Sequence, residues 1–237
     1  MYKRQTLYVS STFSSFKEAQ TILCKDGFFL FDIHQVLFES KGITPLIQGL
    51  RAIKNKKQTF FQAAQVFFYA KTWKHLKDHY NEGNRVTEVY LDAAQTFPIL
   101  HNELLDFSNN IYKPNARMYK LLTQLKNGHN LYLLSNIGSK TFEKLKNTYP
   151  DYFALMTNPQ NTINSLANNH TLWKPQHSAF HHSLHLINQS QNPHLAIFVD
   201  DKSINIKAAH QIGMNAIRFT SYPQFEKDLI TLLGKKI

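Results

Sequence analysis

Short, almost unbroken apolar runs recur along the chain, each after a polar stretch that closes in glycine or a turn. Phe28 to Asp32 follows Gly27, Asn130 to Ser135 follows Gly128, and Asn215 to Phe219 follows Gly213. Leu195 to Asp200 has the same form, and Tyr152 to Thr157 is a weaker instance. Apolar runs this short, without polar alternation, predict strands covered on both faces. Between them the apolar positions take helical spacing, predicting helices over 114–126, 139–147, 176–188 and 204–212. Near the N-terminus Ser15-Phe-Lys-Glu18 predicts a capping box that opens a helix running to about Leu23, packed outside the sheet. Strand and helix therefore alternate, the pattern of an α/β fold built on a doubly wound, Rossmann-like parallel sheet.

Residues 43–110 break that alternation. Phe60, Phe61, Phe67, Phe68, Tyr69, Trp73, Tyr80 and Tyr90 lie there among Lys and Gln, which predicts an inserted α-helical cap after the first strand of the core. The expected organisation is an α/β core over 1–42 and 111–237, with a cap over 43–110 placed where α/β enzymes carry lids. Most of those aromatics are expected in the cap's own interior, and Arg51, Lys54, Lys56 and Lys57 on a solvated helix end.

Composition narrows the class. The 237 residues are 43% hydrophobic and 18% charged, which excludes a disordered or fibrous chain. The net charge of +11 favours anionic partners, but the excess is almost all Lys: the arginines are Arg4, Arg51, Arg85, Arg117 and Arg218. Specific reading of nucleic acid leans on Arg, so a small phosphorylated molecule is the better expectation than nucleic acid. Lone Cys24 excludes an internal disulfide and a Cys-based zinc cluster, and points to a reduced compartment, the cytoplasm. No run reaches the roughly 18–20 apolar residues of a membrane span. Lys3 and Arg4 precede the polar Ser10 to Ser15 stretch, so no membrane partner and no secretory leader are expected. Oligomeric state leaves no signature in the sequence.

The candidate chemistry lies at strand ends. Two strands close in acids, Phe28-Phe-Leu-Phe-Asp32 and Ile197-Phe-Val-Asp200-Asp201. The carboxyl ends of parallel strands face the crevice where ligands bind, so both acids are aimed there. Asp is also a preferred helix N-cap, which would explain one such strand better than two. Three converging carboxylates repel one another and call for a cation, and oxygen-only ligands suit Mg2+. A third strand ends Leu134-Ser135-Asn136, offering a hydroxyl and backbone N–H groups before a helix, a phosphate-binding arrangement or a simple turn. Lys174, before Pro175, is placed to balance the carboxylates and a phosphate. His177, His181 and His185, beside His182, recur at one-turn spacing; such a ladder can hold a transition metal, but a solvated helix face is expected.

In this order the four segments resemble the haloacid dehalogenase (HAD) superfamily of Asp-nucleophile hydrolases. Phe31-Asp32-Ile33-His34-Gln35-Val36-Leu37 is similar to its first motif, Leu134-Ser135-Asn136 to its second, Lys174-Pro175 to its third and Val199-Asp200-Asp201 through Asn205 to its fourth. The segment Phe198 to Phe219 carries the most specific likeness, and the insertion corresponds in position to the helical cap of one branch. The resemblance implies Asp32 as nucleophile, forming an aspartyl-phosphate that water hydrolyses. It implies Mg2+ held by Asp32, Asp200, Asp201 and the backbone carbonyl of His34, with Ser135 and the Asn136 amide on phosphate oxygens and Lys174 neutralising the transferring group.

The first motif departs from the family in two places. His34 stands where the phosphatase branch has a second Asp acting as general acid and base, and Gln35 stands where Gly is usual, so the loop is expected to be distorted. Imidazole can replace the carboxylate in principle, as its ordinary pKa suits both roles. Three readings follow: a phosphatase-type hydrolase with altered acid–base chemistry, a catalytically inactive binder of metal or phosphate ligands, and a carbon–halogen hydrolase, whose halide leaving group needs no proton. Asp200 and Asp201 favour the first, since displacing halide needs no metal site.

Overall fold

The computed structural model describes residues 6–40, 112–137, 139–157, 163–164 and 172–235. The expected cap, with its aromatics and the Arg51 to Lys57 cluster, lies outside the described residues.

Strands Phe28–Phe31 (β2), Leu131–Ser135 (β5), Ala196–Asp200 (β7) and Asn215–Arg218 (β8) form the predicted parallel core. With Leu7–Tyr8 (β1) and Ile163–Asn164 (β6) they make a six-stranded sheet in the order β1-β8-β7-β2-β5-β6. Only β1 runs antiparallel, pairing Leu7 with Ile217 and Tyr8 with Ala216. β2 sits between β5 and β7, with Phe31 opposite both Leu133 and Val199, so the strand ends that carry the acids are level with one another.

Period-two alternation divides the core between two layers. Phe29, Phe31, Leu131, Leu133, Ile197, Val199 and Ile217 face one side, where Phe16–Asp26 (α1), Ala116–Leu125 (α2) and Tyr222–Leu233 (α7) pack. Phe28, Leu30, Leu134, Ala196, Phe198 and Ala216 face the other, against His177–Leu186 (α5) and Ser203–Gln211 (α6). Both faces are apolar, so a one-residue slip of β2 would exchange its layers but displace Asp32 from the ladder, where its N–H donates to the Val199 carbonyl at 2.9 Å.

α1 begins at the Ser15 cap, whose hydroxyl accepts from the Glu18 N–H, and Gln20 of α1 donates to the Thr231 carbonyl of α7. Gly27 ends α1 at a close approach: a Cβ there would lie 2.5 Å from the Leu23 carbonyl oxygen. Gly213 joins α6 to β8 at φ +90°, a conformation glycine adopts without steric cost.

Two features differ from the sequence expectation. Tyr152 to Thr157 is not a strand: Pro150–Ala154 (α4) is helical after Ser139–Thr148 (α3), with Pro150 at its first turn. Its Tyr152 and Phe153 are buried against Phe38, and a short Tyr-Phe run has no periodicity that separates helix from strand. Unforeseen too is an antiparallel pair, Phe38–Ser40 (β3) with Tyr112–Pro114 (β4), which brings together the described segments on either side of residues 41–111.

Phe29 is fully buried, stacked on Phe31 at 5.5 Å and edge-on to His129 at 5.3 Å. Phe29→Ala is expected to lower the unfolding free energy by about 3–5 kcal/mol, measured by urea denaturation; a loss within the range of surface substitutions would show this layer to be loosely packed.

Candidate functional site

The apolar burial of β2 and β7 presents Asp32 and Asp200 at neighbouring strand ends, and the Lys174 side chain reaches both. The Lys174 ammonium lies 2.9 Å from Asp32 Oδ1 and 2.7 Å from Asp200 Oδ2 and donates to the Leu134 carbonyl at 2.8 Å. Its three N–H bonds thus have three acceptors, one from each of the strand segments β2, β5 and β7. All three charged groups are buried, Asp200 completely. Burial alone would lower the Lys174 pKa, but the Asp200 and Asp32 charges outweigh it and hold it above the usual lysine value. Burial, joined by Asp32, pushes the Asp200 carboxyl up while Lys174 works against both.

Asp200 is not a simple helix cap. Its Oδ2 also accepts from Asn205 Nδ2 at 2.9 Å, and its Oδ1 accepts from the Lys202 N–H at 2.8 Å, so both oxygens are engaged. The backbone of Lys174 is clamped by Asn136, whose side-chain amide donates to the Lys174 carbonyl at 2.8 Å and whose Oδ1 accepts from the Lys174 N–H at 3.0 Å. The Asn136 side chain therefore positions Lys174, a role its strand-end location did not suggest. Ser135, buried at the end of β5, follows the carbonyl that Lys174 bonds.

Asp201 completes a carboxylate cluster. Among the described residues, Asp32, Asp200 and Asp201 alone bring three ligand atoms within 4.8 Å of one another; the ladder of His177, His181 and His185 does not converge. Burial, then Asp200 and Asp32, push the Asp201 carboxyl up to about 6. Its Oδ1 is buried with no hydrogen-bond partner, as expected of an oxygen whose partner is a cation. One ammonium against three carboxylates leaves an excess of negative charge that a divalent cation with oxygen preference would neutralise, so the donor set fits Mg2+.

The loop after β2 keeps a tight form without glycine. Gln35 takes the left-handed conformation at φ +57°, where glycine would sit without strain; its N–H donates to the Phe38 carbonyl at 2.8 Å, and the Phe38 N–H returns to Ile33 at 2.9 Å. The expected distortion is thus replaced by a strained residue in an ordered turn. His34 is half-buried, its ring 5.0 Å from that of Tyr112 and its Nε2 3.2 Å from the Tyr112 hydroxyl. Burial, then the Lys202 and Lys174 charges, pull His34 down to about 3, so the imidazole is neutral at physiological pH. Tyr112 escaped sequence reading because it lies beyond the insertion. Asn205 closed the segment likened to the fourth motif but was given no role there, and Arg218, whose Nε donates to the Asp201 carbonyl at 3.1 Å, had no signal separating it from ordinary strand residues.

No family model matches the sequence, and no curated protein is found similar to it. Solved structures are similar. A dehalogenase shares 15% identity at TM-score 0.52, covering 89% of this chain and 92% of that one. A HAD-family enzyme of Bacteroides thetaiotaomicron, solved with magnesium and inorganic phosphate, shares 16% identity at TM-score 0.50, covering 81% of this chain and 93% of that one. This chain has the HAD-like fold. In that HAD-like sheet the acids, Ser135 and Lys174 stand together at the carboxyl ends of the strands. Among the described residues no helix is long and apolar enough to cross a membrane.

The raised Asp201 pKa has a defined sign in the metal-free protein. The folded state binds a proton more tightly than the unfolded chain, so this group's stabilising effect is present at acid pH and is lost as pH rises from about 4 to about 6. Asp201→Asn, which cannot ionise, is expected to gain roughly 1–2 kcal/mol relative to the parent across that window, after allowance for solvent screening. Urea denaturation at several pH values in metal-free buffer measures it; parallel profiles for the two proteins would contradict the placement of Asp201.

Proposed function

We propose that this protein is a Mg2+-dependent hydrolase of phosphate monoesters that works through an aspartyl-phosphate on Asp32, with residues 43–110 as its cap and the cytoplasm as its compartment. The observation that carries the reading is the joining of Asp32 to Asp200 through buried Lys174, beside an Asp201 oxygen that lacks a partner. The magnesium- and phosphate-bound HAD-family enzyme of B. thetaiotaomicron supports it by fold. Asp32, Asp200, Asp201 and the His34 carbonyl would hold Mg2+, which when bound offsets the carboxylates and draws charge from the phosphoryl oxygens.

In the first half-reaction an Asp32 oxygen attacks phosphorus and the ester P–O bond breaks, its electron pair leaving on the alcohol oxygen. Ser135 and the Asn136 amide hold phosphoryl oxygens, and Lys174 offsets the charge gathered there. In the second half-reaction water attacks the same phosphorus, releasing phosphate and returning the Asp32 carboxylate. Both steps normally use a proton carrier at position 34. A His34 held neutral cannot protonate a leaving alkoxide, and an imidazole with so low a pKa is a feeble base for the water. The substrates are therefore esters whose leaving group departs as a stable anion, such as aryl phosphates.

A second reading, carbon–halogen hydrolysis, gains from neutral His34 and from the dehalogenase of similar fold. It leaves the Asp200–Asp201 cluster without a task. Chloride release from 2-chloropropionate that survives metal removal would favour it.

With Mg2+ the protein is expected to turn over p-nitrophenyl phosphate, and Asp32→Ala or metal removal to abolish this. Turnover unchanged in Asp32→Ala would sink the proposal. Position 34 supplies an independent check. His34→Asp is expected to speed alkyl phosphate hydrolysis by roughly 10²–10⁴, and to change aryl phosphate cleavage far less. Equal acceleration of both ester types would show that position 34 is not where the general acid is missing.

A further inference from the structure

Beside the carboxylate cluster, a cleft of about 780 Å3 opens between β4, β8 and the starts of α2 and α7. Lys113, Arg117 and Arg218 all line it. The two guanidinium groups are held from different walls. Arg218 is fixed by its Nε bond to the Asp201 carbonyl, and Arg117 of α2 lies 5.8 Å over the Tyr222 ring of α7. No salt bridge engages Lys113, Arg117 or Arg218 among the described residues, although Glu39 stands opposite Lys113 in the β3–β4 ladder and also lines the cleft. The other acid on its wall is Asp201, whose carboxylate belongs to the cluster. The two helix starts do not carry the argument, since Asn115 and Ser221 already cap them.

Three cations without ion-pair partners around a concave space are an oxyanion receptor, because Arg offers paired donors to phosphate and carboxylate alike. We infer that the cleft is a second anion site that anchors the far end of the substrate, whose class is therefore molecules carrying a phosphate ester and a further phosphate or carboxylate. The assignment of the bound molecule as substrate rests on the phosphatase reading; the anion site does not.

Titration calorimetry of the whole chain in metal-free buffer separates the two, since without a cation the Asp cluster repels anions. The probes are pyrophosphate and malonate, and the tighter names the group recognised. Lys113→Ala/Arg117→Ala is expected to bind the preferred probe roughly tenfold more weakly, while Lys17→Ala/Lys207→Ala, on surfaces away from the cleft, binds as the parent does. Equal loss in both pairs, or no loss in the first, would overturn the site and reduce it to dispersed surface charge. With Mg2+ present, ethanediol to hexanediol bisphosphates are expected to inhibit p-nitrophenyl phosphate turnover more strongly than the matching monophosphates, an advantage the first double variant erases. No advantage at any spacing would overturn the substrate class. Absent turnover with intact calorimetric binding would instead count against the phosphatase reading alone.

Discussion

The Lys174 ammonium, buried between Asp32 and Asp200, is the interaction on which the functional end of this fold depends. Each ion here has left water, at an effective cost of several kcal/mol apiece, and only close pairing with complete hydrogen bonding offsets it. Each neighbouring element contributes to that completion. Leu134 supplies the third acceptor, Asn136 clamps the lysine backbone, and Asn205 with the Lys202 amide adds two further donors to Asp200, leaving part of its Oδ1 open to a cation. Three strand ends, one loop and the start of α6 are thereby locked in register around a charge that is stable only as a set. The set is also incomplete. Adding Asp201 leaves negative charge in excess and one oxygen without a partner, so the same constraint that fixes the geometry creates the demand for a cation.

That field explains the behaviour of position 34 better than the identity of its side chain does. Lys202 and Lys174 both disfavour an imidazolium there, and burial adds to their effect. Those two cations would favour a carboxylate in the same place. The loop is likewise shaped for another residue, since Gln35 accepts a left-handed conformation that glycine adopts freely. Position 34 and position 35 therefore hold His and Gln in surroundings where Lys202, Lys174 and the turn geometry would favour a carboxylate and a glycine, while Asp200 works the other way at position 34.

The strands were legible because burial on both faces leaves nearly pure apolar runs, and the acids were legible because they interrupt those runs at one end. Phe28 to Phe31 and Ala196 to Val199 are buried throughout, so Asp32 and Asp200 stood out before any geometry was known. What escaped lacks such contrast. β1 has two residues and β3 three, and pairing between β3 and β4 joins segments separated by the whole insertion. Tyr152 and Phe153 are equally suited to strand or helix, and Pro150, which starts α4, is the feature that decides. The Tyr112 contact to His34 and the Asn136 clamp on Lys174 depend on side-chain directions that spacing along the chain does not encode.

The net charge of +11 acquires a spatial meaning from the same end of the sheet. An acidic cluster and a basic cleft lie side by side, and Asp201 with Arg218 forms the seam between them, the carboxylate turned to the cluster and the backbone carbonyl bonded to the guanidinium. Opposite charges so close would ordinarily collapse into an ion pair. Here the connection runs through the Asp201 carbonyl, so the guanidinium is oriented without consuming the carboxylate's charge. Charge of opposite sign is thus set side by side, an arrangement that would hold a cation on one side and an anion on the other. A ligand with one anionic end drawn to the cation and a second drawn to the guanidinium groups is aligned by both before any apolar contact is made.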